Sequence, residues 1–114
     1  MTSPVSRENA AHYVWGGDCD GWRLVDREGL SVIHELMPPG RSEVRHFHRR
    51  ARQLFFVLSG ELTIEMEGVR HTLGPHVGLE VPPLAPHQAI NSGDVPVEFL
   101  VISQPTTKGD RQPA

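Results

Sequence analysis

Two histidines, His46 and His48, flank a single residue in the stretch Arg45-His46-Phe47-His48. On an extended strand, residues two apart point to one face, so this spacing aims both imidazoles the same way. Two imidazoles converging from one strand supply half of a site for a borderline divalent metal. Gln53 follows at the head of an apolar run that ends at Leu58, and a further histidine, His87, comes after the stiff segment Pro82-Pro83-Leu84-Ala85-Pro86. A closed barrel brings two such regions together across its interior. His34 and Glu35 are adjacent, so only one of them can face inward. His12, His71 and His76 have no partner pattern and read as surface groups.

The elements that would hold these groups are short. The 114 residues include 10 Pro and 11 Gly at close intervals, which leaves little room for long helices. Leu62, Ile64 and Met66 alternate with Thr63, Glu65 and Glu67, the period of a strand with one wet face. The run 53–58 is apolar on both faces and suits a central strand. Val95, Val97, Phe99 and Val101 share a face on another, and 30–37 reads as one more. Many short strands with this punctuation predict an all-β sandwich or barrel. Ser59-Gly60 and Glu67-Gly68 read as hairpin turns. Ser6 caps a possible single helical turn near the N-terminus, and 105–114 reads as a loose polar tail.

The string Gly40, His46, His48, Gln53, Gly60 resembles the first motif of the cupin family, with Gln53 where many cupins carry Glu. Pro82, His87 and Asn91 resemble the second motif, with Leu84 in place of a family glycine. The resemblance covers roughly residues 30–103. It implies a double-stranded β-helix, the jelly-roll-like cupin barrel, over 30–104. Residues 1–29 would then be an arm and a Trp/Gly-rich loop packed on it. It also implies one divalent ion (Zn, Ni, Fe, Mn or Cu) held by His46, His48, Gln53 and His87. A neutral Gln in place of Glu leaves the full charge on the ion, which favours Lewis-acid chemistry.

Other residues are read around that set. By alternation from Gln53, Phe55 and Val57 line the pocket, with Phe99 and Val101 facing them. Leu54, Phe56 and Leu58 then face outward and need cover, and small cupins resemble this in forming homodimers. Arg41, Arg45, Arg49, Arg50 and Arg52 read as a solvated face, with salt bridges to Glu43 or a partner. One or two of them could instead steer an anionic substrate. The loop from Trp15 to Trp22 packs its two indoles on the barrel end, or closes over the pocket with Asp18, Cys19 or Asp20 near substrate. Gln88 and Asn91 could support His87 by hydrogen bonding.

The formal net charge of -3, from 11 Lys+Arg against 14 Asp+Glu, argues against general nucleic-acid affinity. Lone Cys19 cannot form an internal disulfide. No secretory signal and no run long enough to span a membrane is visible, so the reading is a soluble cytoplasmic protein. Cupins include isomerases, lyases, dioxygenases and non-catalytic binders. Three functions therefore stand. The first is a Lewis-acid enzyme acting on a small oxygenated substrate such as a sugar acid or keto acid. The second is a metal-dependent dioxygenase, and the third a small-molecule binding or sensing module without turnover. The last strand offers no acidic residue on the face of Val97, Phe99, Val101 and Ser103, which speaks against a specific uronate-ketonising role.

Overall fold

The computed structural model describes residues 2–114 and is all-β. Among them no helix is long and apolar enough to cross a membrane. The strands are β1 (Ala11–Trp15), β2 (Cys19–Asp26), β3 (Ser31–Met37), β4 (His46–His48), β5 (Arg52–Ser59), β6 (Leu62–Met66), β7 (Val69–Leu73), β8 (Gly78–Val81), β9 (His87–Ile90), β10 (Val97–Gln104) and β11 (Arg111–Pro113). They form a six-stranded sheet, β1-β2-β3-β10-β5-β8, and a five-stranded sheet, β11-β4-β9-β6-β7. All pairings are antiparallel. The expected closed barrel is thus a two-sheet jelly roll rather than one continuous cylinder.

The core lies between the sheets. Phe55, Val57, Phe99 and Val101 of the larger sheet meet Leu62, Ile64, Leu73 and Ala89 of the smaller one. Register explains the alternation. Phe99 sits opposite Val57, Val101 opposite Phe55, and Ser103 opposite Gln53. Directly opposed residues share a face, so one inner row after another runs from apolar to polar toward Gln53. Leu54, Phe56 and Leu58 point the other way and are only partly covered.

Glu67-Gly68 makes the expected hairpin between β6 and β7, with Met66 opposite Val69. Both turn residues have positive φ, 55° and 78°, as a two-residue turn matched to strand twist requires. Ser59-Gly60 does not make a hairpin, because β5 and β6 lie in different sheets. Gly60 turns the chain from one sheet to the other at φ +81°, where a Cβ would stand 2.5 Å from the Pro96 carbonyl. A local turn signal cannot distinguish a hairpin from such a corner.

Both chain ends differ from expectation. Residues 11–26 are two strands that extend the larger sheet, rather than an arm lying on it. The possible helical turn is a single hydrogen-bonded turn in which the Asn9 and Ala10 amides donate to the Ser6 carbonyl. The expected loose tail contains β11, which pairs with β4 by placing Arg111 opposite His48 and Pro113 opposite His46. Asp110, only 3% exposed, anchors it by accepting the amides of Arg49, Arg50 and Ala51 at 2.9–3.0 Å.

Candidate metal centre

Strand β4 projects His46 and His48 inward, both buried, and β9 begins at fully buried His87. His46 and His87 are directly opposed across the β4–β9 pairing. One ligand nitrogen of each ring lies within 4.8 Å of those of the other two.

Hydrogen bonds fix which nitrogen is free. The Nδ1–H groups of His46, His48 and His87 donate to the carbonyls of Val44 (2.7 Å), Asp110 (3.3 Å) and Ala85 (2.9 Å). A carbonyl only accepts, so each Nδ1 carries the proton and each Nε2 keeps a lone pair. The Nε2 atoms of His48 and His87 are buried with no hydrogen-bond partner, and so is Gln53 Oε1. The Gln53 amide is oriented by its Nε2–H, which donates to Ser103 Oγ at 3.1 Å. Unpartnered buried acceptors are costly in a folded protein, and a cation among the three imidazoles would satisfy those of His48 and His87. Burial holds all three imidazoles below their usual range, His46 at about 3. They are neutral at physiological pH, which is the state a metal requires. The three histidines can hold a metal ion, and the donor set fits one.

The residue before the ligand turn carries strain. Leu84 adopts φ +73° and is 63% exposed. The left-handed region costs a branched residue about 1–2 kcal/mol. The turn is held by the Leu84 amide, which donates to the His48 carbonyl at 2.7 Å, linking the two ligand segments.

Beside the histidines lies a cavity of about 160 Å³. Gln53, Phe55 and Val101 line it as expected. Val57 and Phe99 do not, because their row lies deeper, sealed at 0% exposure. The rest of the wall is polar and comes from other strands and loops. It comprises Tyr13, Glu35, Glu43, Thr107 and Arg111. Burial raises the Glu35 carboxyl to about 8, with Glu43 adding repulsion, and burial raises Glu43 to about 7. A larger groove of about 690 Å³ lies on the outer face of the six-stranded sheet, but its Arg7 and His34 are both engaged with Glu98.

Several candidate residues stand away from this site. Asp18 pairs with Arg41, and Asp20 with His12. Cys19 is fully buried in the core, where burial lifts its thiol to about 11. Trp15 packs against the core, while Trp22 lies under Arg7 on the outer face. Arg45 pairs with Glu65 and Arg52 with Glu80. Glu43 pairs with none of the arginines read around it, and accepts the Ala89 amide. Gln88 and Asn91 bond the backbone of Glu43, Met37 and Val95 rather than His87.

These shifts set a pH dependence for the metal-free protein. The histidines titrate lower when folded, so stability falls as pH drops below about 6.5. Glu35 and Glu43 titrate higher when folded, so they stabilise at low pH and lose that contribution as pH rises through about 7 and about 8. Melting temperature should peak at roughly pH 6–7 and decline toward pH 9. Glu35→Gln should flatten the decline. A melting temperature that rises steadily from pH 6.5 to 9 would contradict the assignment.

The chain is a jelly roll whose three inward imidazoles, able to hold a metal ion, stand beside a small polar cavity. A family model described as a cupin domain matches residues 33–103, more than half of the chain, and the protein belongs to the cupin family. It is 24% identical over 75 residues to an uncharacterized protein of Methanocaldococcus jannaschii, covering 66% of this chain and 60% of that relative's length. The structure of KdgF from Halomonas sp. superposes with a TM-score of 0.84 at 17% identity, covering 93% of this chain and 96% of that one. The polyketide cyclase RemF from Streptomyces resistomycificus superposes at 0.81 and 21% identity, covering 99% and 83%. At such identities these likenesses establish the fold.

Proposed function

We propose that the protein is a metal-dependent enzyme that converts a small oxygenated substrate, such as a sugar acid or keto acid, without redox chemistry. The observation that carries this reading is the cluster of three proton-anchored imidazoles, of which His46 and His48 line one cavity together with the orphaned Gln53 carbonyl. His46, His48 and His87 would hold a divalent ion, with Gln53 Oε1 as the fourth, neutral ligand. Such an ion supplies Lewis acidity toward a carbonyl or hydroxyl oxygen.

The remaining chemistry belongs to the chain. At about 160 Å³ the cavity is below the roughly 300–1,000 Å³ of drug-sized pockets, so the substrate is small. Arg111 on the wall offers a fixed positive charge to a carboxylate. Phe55 and Val101 keep the floor dry. The partly covered outward face of Leu54, Phe56 and Leu58 supports a homodimer as the working form.

The reading is tested by supplying the purified protein with Zn or Mn under anaerobic conditions and assaying small hydroxy and keto acids. Turnover without oxygen is expected. Oxygen uptake dependent on Fe(II), with no anaerobic conversion, would replace this reading with the dioxygenase. Ligand binding without turnover under any metal would replace it with a sensor.

A further inference from the structure

One inner row of the larger sheet is built unlike its neighbours. Across β1, β2, β3 and β10, Tyr13 is opposite Gly21, Gly21 opposite Glu35, and Glu35 opposite Phe99. These residues share the inner face. At Gly21 there is no side chain, and the Tyr13 ring lies across the gap. A Cβ there would stand 2.4 Å from Tyr13 Cζ and 2.7 Å from its hydroxyl oxygen. Arg23 lies over the same ring, 4.5 Å from its centroid. The hydroxyl thereby reaches a residue two strands away and donates to Glu35 Oε2 at 3.3 Å. Tyr13 and Glu35 both line the cavity that His46, His48 and Gln53 line from the other side.

We propose that Glu35 is the proton-transferring residue of this site, positioned by Tyr13 across the gap at Gly21, and that the reaction is an isomerisation adjacent to a carbonyl. The proposal rests on the metal-centre reading above. In the forward step the Glu35 carboxylate takes a proton from the carbon next to the carbonyl. The C–H electron pair forms a C=C bond, and the carbonyl pair moves onto oxygen. The carboxylic acid then returns the proton to the neighbouring carbon, and a hydroxyl proton moves between the two oxygens. Nothing is oxidised overall, and no co-reactant is consumed.

The surroundings suit the task. Tyr13 is partly buried, and desolvation together with the neighbouring Glu35 holds it well above its usual range, so it remains a donor. The charged and titratable groups facing Glu35 are Tyr13 on β1, Arg23 on β2, Glu43 before β4, and Arg111 on β11. Burial and Glu43 favour the acid form, while Tyr13, Arg111 and Arg23 favour the carboxylate. A group poised between both forms near neutral pH is what a proton shuttle needs.

The test uses dihydroxyacetone and pyruvate as probes in D₂O, with zinc-loaded wild-type protein and the variants Glu35→Gln, Tyr13→Phe and Gly21→Ala. Zinc content is measured in each. Wild type should exchange carbon-bound hydrogen for deuterium on at least one probe. Glu35→Gln should retain zinc and lose about 100-fold or more of the exchange rate. Tyr13→Phe and Gly21→Ala should lose less and move the acidic limb of the pH profile upward, because the carboxylate loses a donor. A merely structural role would leave that limb in place. Exchange by Glu35→Gln at the wild-type rate would overturn the proposal. So would zinc-loaded wild type that exchanges neither probe faster than free zinc. Failure of the metal reading is a separate result, wild type that retains no zinc whatever its residue 35.

Discussion

Purified His48→Ala protein should bind its divalent ion at least about 100-fold more weakly than wild type, a larger loss than the 10–100-fold typical of supporting residues around a ligand. His48 contributes one of three buried imidazoles, and its Nε2 is among the atoms left without a partner. The substitution removes a lone pair that nothing nearby replaces. Removing the ring also opens a cavity beside His46 and His87, whose ring centroids lie 4.9 and 5.7 Å from it. The fold itself should survive, since the apolar core sits deeper, around Phe99, Leu62 and Ile64. Equilibrium dialysis with metal analysis measures the effect directly. A folded variant with wild-type affinity would remove His48 from the site.

Ending the chain at Gly109 should be nearly as damaging, although the composition of 105–114 reads as dispensable. The truncation removes β11 from β4, the strand that carries both His46 and His48. It removes the Asp110 carboxylate that accepts three consecutive amides. Burial pushes that carboxyl up, but the amides of Ala51, Arg50 and Arg49 outweigh it and hold the group below its usual range. Hydrogen bonds to a charged group contribute about 1.5–3 kcal/mol each. Truncation also removes the Asp110 carbonyl that sets the His48 tautomer and Arg111 from the cavity wall. The metal-free protein should melt at least about 10 °C lower, and metal affinity should fall as well. Asp110→Asn, which keeps the carbonyl, should lose stability while affecting metal binding less. A truncated chain with unchanged melting and metal binding would show that β11 does not support the centre.

What could be read from the sequence was local. His46 and His48 declare themselves because strand periodicity is two and one residue separates them. Gln53 and His87 follow from motif spacing. Tyr13, Gly21 and Glu35 do not, because their adjacency depends on the register of three strands. The sequence pairs Glu35 with His34 and shows that only one faces inward, but not which one. Register decides it: Glu35 is opposite inward Phe99, and His34 is opposite outward Leu100. Arg111 was hidden for a related reason. A three-residue strand with a proline shows no apolar alternation, and β11 is held by its pairing and the Asp110 anchor. The arginine cluster lies beside His46 in sequence, while the arginine on the cavity wall arrives from the other end of the chain.

In the proposed centre three Nε2 atoms and one amide oxygen surround a single cation. Crystals of the protein grown with zinc, measured at the zinc absorption edge, test it most directly. One strong anomalous peak is expected, bounded by His46, His48 and His87 at about 2.0–2.1 Å from each nitrogen, with Gln53 Oε1 completing the set. No peak there, or zinc bound only at surface histidines such as His76, would contradict it.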